Sequence, residues 1–205
     1  MIFELSDRLT FKVVFYYICE LMTKSFLYAF LYVGLLINEA FAEVEVVFTP
    51  SYECENKIVD LIDHSKTSID VAVYSINNSQ IVAALKLAKQ RNVTIRILTD
   101  RLQAAGKYSM VTDLHDTGLN IRVHSKNKIE HNKFAIFDGE TVSTGSYNWT
   151  NAASEKNSEN CLFLIKEPEH VRSYQMRFEE LWSANSQEKS ERWFENRRIK
   201  HETNN

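Results

Sequence analysis

The sequence predicts a single α/β domain built on a mixed, mostly parallel sheet with helices on both faces. Three observations carry this expectation. β-Branched runs alternate with amphipathic stretches from residue 43 to residue 124. Three closely spaced strand-like runs follow, and the length, 205 residues, suits one domain with short additions better than two full domains. A hydrophobic content of 44%, with five Gly and two Pro, supplies a core and excludes collagen-like and wholly disordered chains. Lys and Arg total 24 against 27 Asp and Glu, a net charge of −3, which excludes a basic arm that grips nucleic acid by bulk charge.

The elements are justified in order. Residues 22–42, MTKSFLYAFLYVGLLINEAFA, have a Lys24-bearing start, an apolar run from Phe26 to Ile37 and a small-x-small end at Ala40-Phe41-Ala42. That is the pattern of a cleavable export signal cut after Ala42, and the run is short for a membrane span. Residues 1–42 are therefore set aside as a signal region, with the start at Met1 or Met22 left open, and a secreted protein, periplasmic or extracellular, is expected. Residues 43–48 alternate as a strand and Thr49-Pro50-Ser51 opens a helix through Ile62. Residues 68–76 read as a strand, Asn78-Ser79 caps a helix to Asn92, and residues 93–98 form the next strand. A helix over 109–115 ends at Gly118 and residues 120–123 supply another strand. Strands are expected at 133–137, 141–145 and 160–165, then an amphipathic helix at 168–182 closes the domain begun at residue 43. Residues 183–205 read as a polar extension, partly helical or disordered.

Cys54 and Cys161 reach an oxidising compartment if the chain is exported. They either pair or stay as separate buried thiols, since sequence fixes no distance between them. The cysteines form no C-x-x-C pair or zinc-ligand spacing, so no structural metal finger is expected.

The chemistry concentrates in HNKFAIFDGETVSTGSYN, residues 131–148. On a strand His131 and Lys133 share a face. Asp138-Gly139 is a favoured two-residue hairpin turn; counted outward from it, Lys133 faces Thr144 and His131 faces Ser146. An imidazole, an ammonium and a hydroxyl would meet there, with Asn148 just beyond and Glu159 opening the next strand. Such a group suits a phosphate, with a carboxylate such as Glu159 able to fix the tautomer of His131.

The spacing H-x-K-x4-D-x6-G-S-x-N, filled by His131, Lys133, Asp138, Gly145, Ser146 and Asn148, resembles the motif of the phospholipase D superfamily. A chance match to six specified residues is on the order of one in 10⁵. The resemblance runs from about residue 43 to residue 182 and is closest to short, exported, single-motif bacterial members, a group holding phospholipases D and non-specific endonucleases. It implies a phospholipase D-like fold and a homodimer that builds one active site from two copies. It also implies that His131 attacks phosphorus to give a phosphohistidine, while His131 of the second copy protonates the leaving oxygen and then activates water. Lys133 and Asn148 would bind the non-bridging oxygens, Ser146 would support that network, and Glu159 would orient His131. Asp138 at the turn and Gly145 are structural. The substrate expected is a phospholipid headgroup, phosphatidylcholine-like and cleaved to phosphatidate, a host membrane being one surface on which the enzyme could act; the alternative is nucleic acid. The resemblance implies no metal and no cofactor. Asp100 and Arg101 read as a solvated loop. The tail ERWFENRRIK, with Trp193 and Phe194 among basic residues, reads either as a lipid contact or as a docking segment.

Overall fold

The computed structural model describes residues 43–126 and 128–203, together with residue 16 and residues 20–24. Most of the expected signal region lies outside the described residues. No helix among the described residues is long and apolar enough to cross a membrane.

Seven strands, β1 (Glu43–Phe48), β2 (Ser68–Val73), β3 (Thr94–Asp100), β4 (Asn120–His124), β5 (Lys133–Phe137), β6 (Thr141–Gly145) and β7 (Asn160–Ile165), form one sheet. Their order is β1-β7-β6-β5-β2-β3-β4. The sheet is mixed, but the expected predominance of parallel pairs is corrected. Only β2–β3 and β3–β4 are parallel, and the four other pairings are antiparallel. Part of the reason lies in the connections: only three residues join β5 to β6, too few for the crossover of a dozen or more residues that a parallel pair needs, so the two form a hairpin.

The helices are α1 (Glu53–His64), α2 (Ser79–Gln90), α3 (Arg101–Ala104), α4 (Val111–Asp116), α5 (Asn151–Glu155), α6 (Pro168–Ala184) and α7 (Gln187–Thr203). Because side chains alternate across a strand, β2 sends Ile69, Val71 and Val73 to the face covered by α1 and α2, through Ile58, Ile62, Ile81 and Leu85. Ala72 joins Leu98, Phe134, Ile136, Val142 and Leu164 on the other face, under Val171, Phe178, Leu181 and Trp182 of α6. Helices thus cover both faces, as the sequence predicts. Asn78 caps α2 by accepting from Ile81 N at 3.0 Å, a contact worth about 1 kcal/mol. Pro168 stands in the first turn of α6, where its missing N–H costs nothing. Arg96 of β3 fastens α6 to the sheet by donating to both carboxylate oxygens of Asp70 at 2.7 Å and to Glu179 Oε1 at 2.5 Å.

One expectation changes and two open readings are decided. Cys54 of α1 and Cys161 of β7 are joined in a disulfide, with Cα atoms 6.1 Å apart. Asp100 is buried at 3% exposure and is no solvated loop residue; its carboxylate caps α3 by accepting from Leu102 N and Gln103 N. The polar extension from residue 183 is ordered as the end of α6 and as α7. Phe194 is fully buried and stacks on His115 with centroids 3.7 Å apart, while Arg197 lies over Trp193. The tail's aromatic residues therefore face protein, which favours the docking reading over the lipid contact.

Candidate active site

The site forms where the carboxyl end of β2 meets the amino end of the antiparallel strand β5, with Val73 opposite Lys133. This juxtaposition brings Tyr74, the residue after β2, against the two residues that the motif marks. The Tyr74 and His131 rings lie 4.7 Å apart, tilted by 60°, and Lys133 Nζ sits 5.0 Å from the Tyr74 ring centre. Lys133 Nζ also donates to the His131 carbonyl at 2.7 Å. Tyr74 is held in turn: its N–H donates to the Asn132 carbonyl at 3.0 Å and its hydroxyl accepts from Gln103 Nε2 at 2.9 Å. Sequence reasoning missed Tyr74. Its place at the carboxyl end of a parallel strand, where α/β sheets gather their sites, was the available signal.

His131 is exposed between two residues that a buried carboxylate secures. Glu130, 2% exposed, accepts through Oε1 from Asn132 N at 3.1 Å and from Asn132 Nδ2 at 2.6 Å. Its own N–H donates to Asp100 Oδ2. The chain around His131 is thereby fixed while its ring stays open to solvent. Burial pushes the Lys133 ammonium below the usual lysine range, and the charges of Glu159 and Glu130 partly oppose this.

The hairpin register differs by one residue from the count made on the sequence. Phe137 pairs with Thr141 and Phe134 with Thr144, so Glu140 belongs to the loop. The Asp138-Gly139 turn is present, with positive φ at both residues and Glu140 N donating to the Phe137 carbonyl. Glu140 leaves the ladder because its carbonyl accepts from Lys166 N at the end of β7. A shift of one residue exchanges faces: Thr144 lies beside Phe134 and accepts from the Tyr174 hydroxyl of α6 at 3.1 Å, and does not accompany Lys133.

The rest of the motif is positioned by its neighbours. Asp138 lies at the turn, where its carboxylate accepts from Lys66 N, Thr67 N, Thr67 Oγ1 and Ser68 N. Burial alone would raise its pKa; these bonds outweigh burial and hold it below the usual carboxylate range. Gly145 has φ +140°, and a Cβ there would come 2.2 Å from the Asn160 carbonyl oxygen. That close approach lets Ser146 and Asn160 exchange bonds, Ser146 N donating to Asn160 Oδ1 at 2.9 Å and Asn160 N to Ser146 Oγ at 3.0 Å. Tyr147 points inward to Ser154 at 2.6 Å, and burial raises its pKa to about 12 despite that bond. The Trp149 carbonyl accepts from Asn77 N and Asn78 N, which ties the motif's end to the loop after β2.

Asn148 is half-buried, and its Oδ1 is buried without a hydrogen-bond partner among the described residues. An orphaned buried polar atom costs about 1–3 kcal/mol, which marks Asn148 as the unsatisfied member of the motif. Glu159 is half-buried just before β7; it accepts from Asn157 Nδ2 at 3.0 Å, and Thr49 Oγ1 accepts from its N–H at 2.9 Å. Among the described residues no hydrogen bond joins Glu159 to His131, and no group of three or more His, Cys, Asp or Glu side chains is arranged to hold a metal ion.

A family model described as "Cardiolipin synthase, PLD-like domain" matches residues 58–182. A mitochondrial cardiolipin hydrolase from Danio rerio is 34% identical over 128 residues, 60% of this chain and 56% of that protein. A phospholipase D from Rickettsia bellii is 36% identical over 133 residues, 65% of this chain and 66% of that protein. The chain thus spans between about half and two thirds of the length of these curated relatives. Among solved structures, Nuc, a phospholipase D family member from Salmonella typhimurium, shares 32% identity at a TM-score of 0.68, covering 71% of this chain and 97% of that one. NucT from Helicobacter pylori, at 22% identity and a TM-score of 0.66, covers 71% of this chain and 98% of that one, and shares the fold.

Proposed function

We propose, from the premise that this chain belongs to the phospholipase D-like family, that it is a phosphodiester hydrolase acting on phospholipid headgroups. The observation that carries the reading is the meeting of His131 and Lys133 at the junction of β2 and β5. An exposed imidazole there lies beside a cation that burial has partly stripped of water, so the pair favours a phosphate over solvent. The names of the relatives from Danio rerio and Rickettsia bellii support a lipid substrate.

In the proposed reaction a ring nitrogen of His131 attacks phosphorus; the N–P bond forms as the bond to the headgroup oxygen breaks. His131 of a second copy gives its proton to that oxygen. The same imidazole then removes a proton from water, whose oxygen attacks phosphorus and releases phosphatidate as the N–P bond breaks. Lys133 and the Asn148 amide hold the non-bridging oxygens, and an amide turned to present Nδ2 uses the position now orphaned. Ser146 keeps this segment against β7 through Asn160, and Glu159, which makes no hydrogen bond to His131 among the described residues, acts through its charge on Lys133. Each chain supplies one such histidine, which is why we propose a homodimer with a shared site. The Cys54–Cys161 disulfide supports export to an oxidising compartment.

The test is to incubate the purified protein and its His131→Ala variant separately with phospholipid vesicles and with single-stranded DNA. The expected outcome is release of phosphatidate by the wild type and a loss of at least about a thousandfold in the variant. Cleavage of DNA with no action on vesicles would replace lipid by nucleic acid as the substrate.

A further inference from the structure

At the carboxyl ends of β3 and β4 the chain presents exposed apolar side chains together with positive charge. The two strands are parallel to β2 and to each other, so residues 101–110 and 125–129 leave the sheet at the end where His131 lies. Leu102 and Tyr108 are 66% and 75% exposed, and Ile129 is 43% exposed. Arg101, Lys107, Lys126 and Lys128 stand beside them, all exposed, and neither stretch contains an Asp or a Glu. The whole chain carries a net charge of −3, so the sign of the charge is reversed locally here.

One buried carboxylate ties the two stretches together. Asp100 Oδ1 accepts from Leu102 N and Gln103 N, and its Oδ2 accepts from Glu130 N at 3.1 Å. Further bonds hold the first stretch in place: Arg197 of α7 donates to the Ala105 carbonyl at 3.0 Å, and Met110 N donates to the Ile76 carbonyl. Gln103 Nε2 donates to the hydroxyl of Tyr74, whose ring lies against His131. The apolar tips thus keep a fixed relation to the site, and little ordering remains to be lost when they meet a partner.

We infer that these two stretches dock the enzyme on an anionic bilayer, with Leu102, Tyr108 and Ile129 entering it and the four cations meeting lipid phosphates. The inference rests on the phospholipid reading above and adds where the membrane is met. A bilayer satisfies both halves of the surface, since apolar tips enter the boundary between headgroups and acyl chains while Lys and Arg stay at the phosphates. Nucleic acid would take the cations but offers no counterpart to the aliphatic side chains of Leu102 and Ile129. A second copy packed here across a two-fold axis would set like charges against each other.

The experiment compares the full chain with three double variants: Leu102→Ser with Tyr108→Ser, Lys126→Gln with Lys128→Gln, and, as a control on exposed residues elsewhere, Lys66→Gln with Leu87→Ser. Binding is measured by co-sedimentation with vesicles of phosphatidylcholine, alone or doped with phosphatidylglycerol, and kcat/KM on soluble bis(p-nitrophenyl) phosphate. The wild type is expected to bind the doped vesicles at least about tenfold more tightly than the undoped ones. A lysine near an anionic surface contributes about fivefold in binding, so the lysine pair should lower binding to doped vesicles by at least about tenfold and barely change it on phosphatidylcholine. The serine pair should weaken binding to both kinds of vesicle, while every variant keeps kcat/KM on the soluble diester within about twofold and the control matches the wild type throughout. Unchanged vesicle binding in both test variants, with vesicle lipid still cleaved by the wild type, overturns the docking surface and leaves the phospholipid reading standing. Losses confined to binding of single-stranded DNA, or dissociation of a dimer without loss of vesicle binding, also overturn it, by assigning the surface to nucleic acid or to a second copy. Hydrolysis of the soluble diester by a wild type that neither binds nor cleaves vesicles overturns both.

Discussion

At Lys133, one residue links burial to a measurable pH dependence. Its ammonium holds substrate oxygens only while protonated, and burial lowers its pKa below the usual lysine range. Deprotonation therefore begins at lower pH than for an exposed lysine, and activity is lost as pH rises through that depressed value. The alkaline limb of kcat/KM against pH is expected below the ordinary lysine range, and Lys133→Arg, whose guanidinium stays charged, should remove the limb from whatever activity it keeps. A limb that persists in Lys133→Arg would assign it to another group. His131, Lys133, Ser146 and Asn148 were legible in the sequence because their spacing is a chemical signature. Tyr74 and Glu130 were not, since each acts through contacts with residues distant along the chain or across a turn: Tyr74 reaches His131 from 57 positions away only because β2 and β5 pair.

Within the β5–β6 hairpin the sequence located both strands to the residue yet misjudged how they pair. Turn chemistry at Asp138-Gly139 is local and could be read; the bond from Lys166 N to the Glu140 carbonyl, which draws Glu140 out of the ladder, comes from β7 and could not. The same limit explains the parallel bias, since alternating strands and helices early in the chain say nothing of how a later meander joins them. Short α3 and α5 escaped because their existence depends on single caps, Asp100 and Thr150, whose side chains accept from the first turn. Gly145 shows what the element tolerates. Gly145→Ala places a methyl against the Asn160 carbonyl at a φ of +140°, and such strain costs about 1–3 kcal/mol. We expect the unfolding free energy obtained from urea titration to fall by that amount, with activity reduced further because Ser146 and Asn148 move with the strand end. An Ala variant as stable and active as the wild type would show that β6 and β7 can separate without harm.

For the whole molecule, the disulfide ties α1 to β7 across 107 positions of sequence. Closing a loop of that length constrains the unfolded chain, and removing such a bridge costs about 2–5 kcal/mol. The double variant Cys54→Ala with Cys161→Ala should lose that much in urea unfolding while keeping its site geometry; an unchanged midpoint would show that the bridge adds nothing. Assembly is tested by co-expressing wild type and His131→Ala under two tags and purifying on both. A shared site requires nearly complete loss of catalysis in this one-histidine species, whereas half of wild-type activity would mean that each copy works alone. The central claim is that His131 forms a bond to phosphorus, and the most direct measurement is acid-free quenching during turnover of a substrate labelled at the scissile phosphate, followed by peptide mapping. The account predicts an alkali-stable, acid-labile phosphoramidate on the peptide that contains His131, absent from His131→Ala. Steady turnover with no labelled peptide and no burst of released alcohol would show that water attacks directly, and would contradict it.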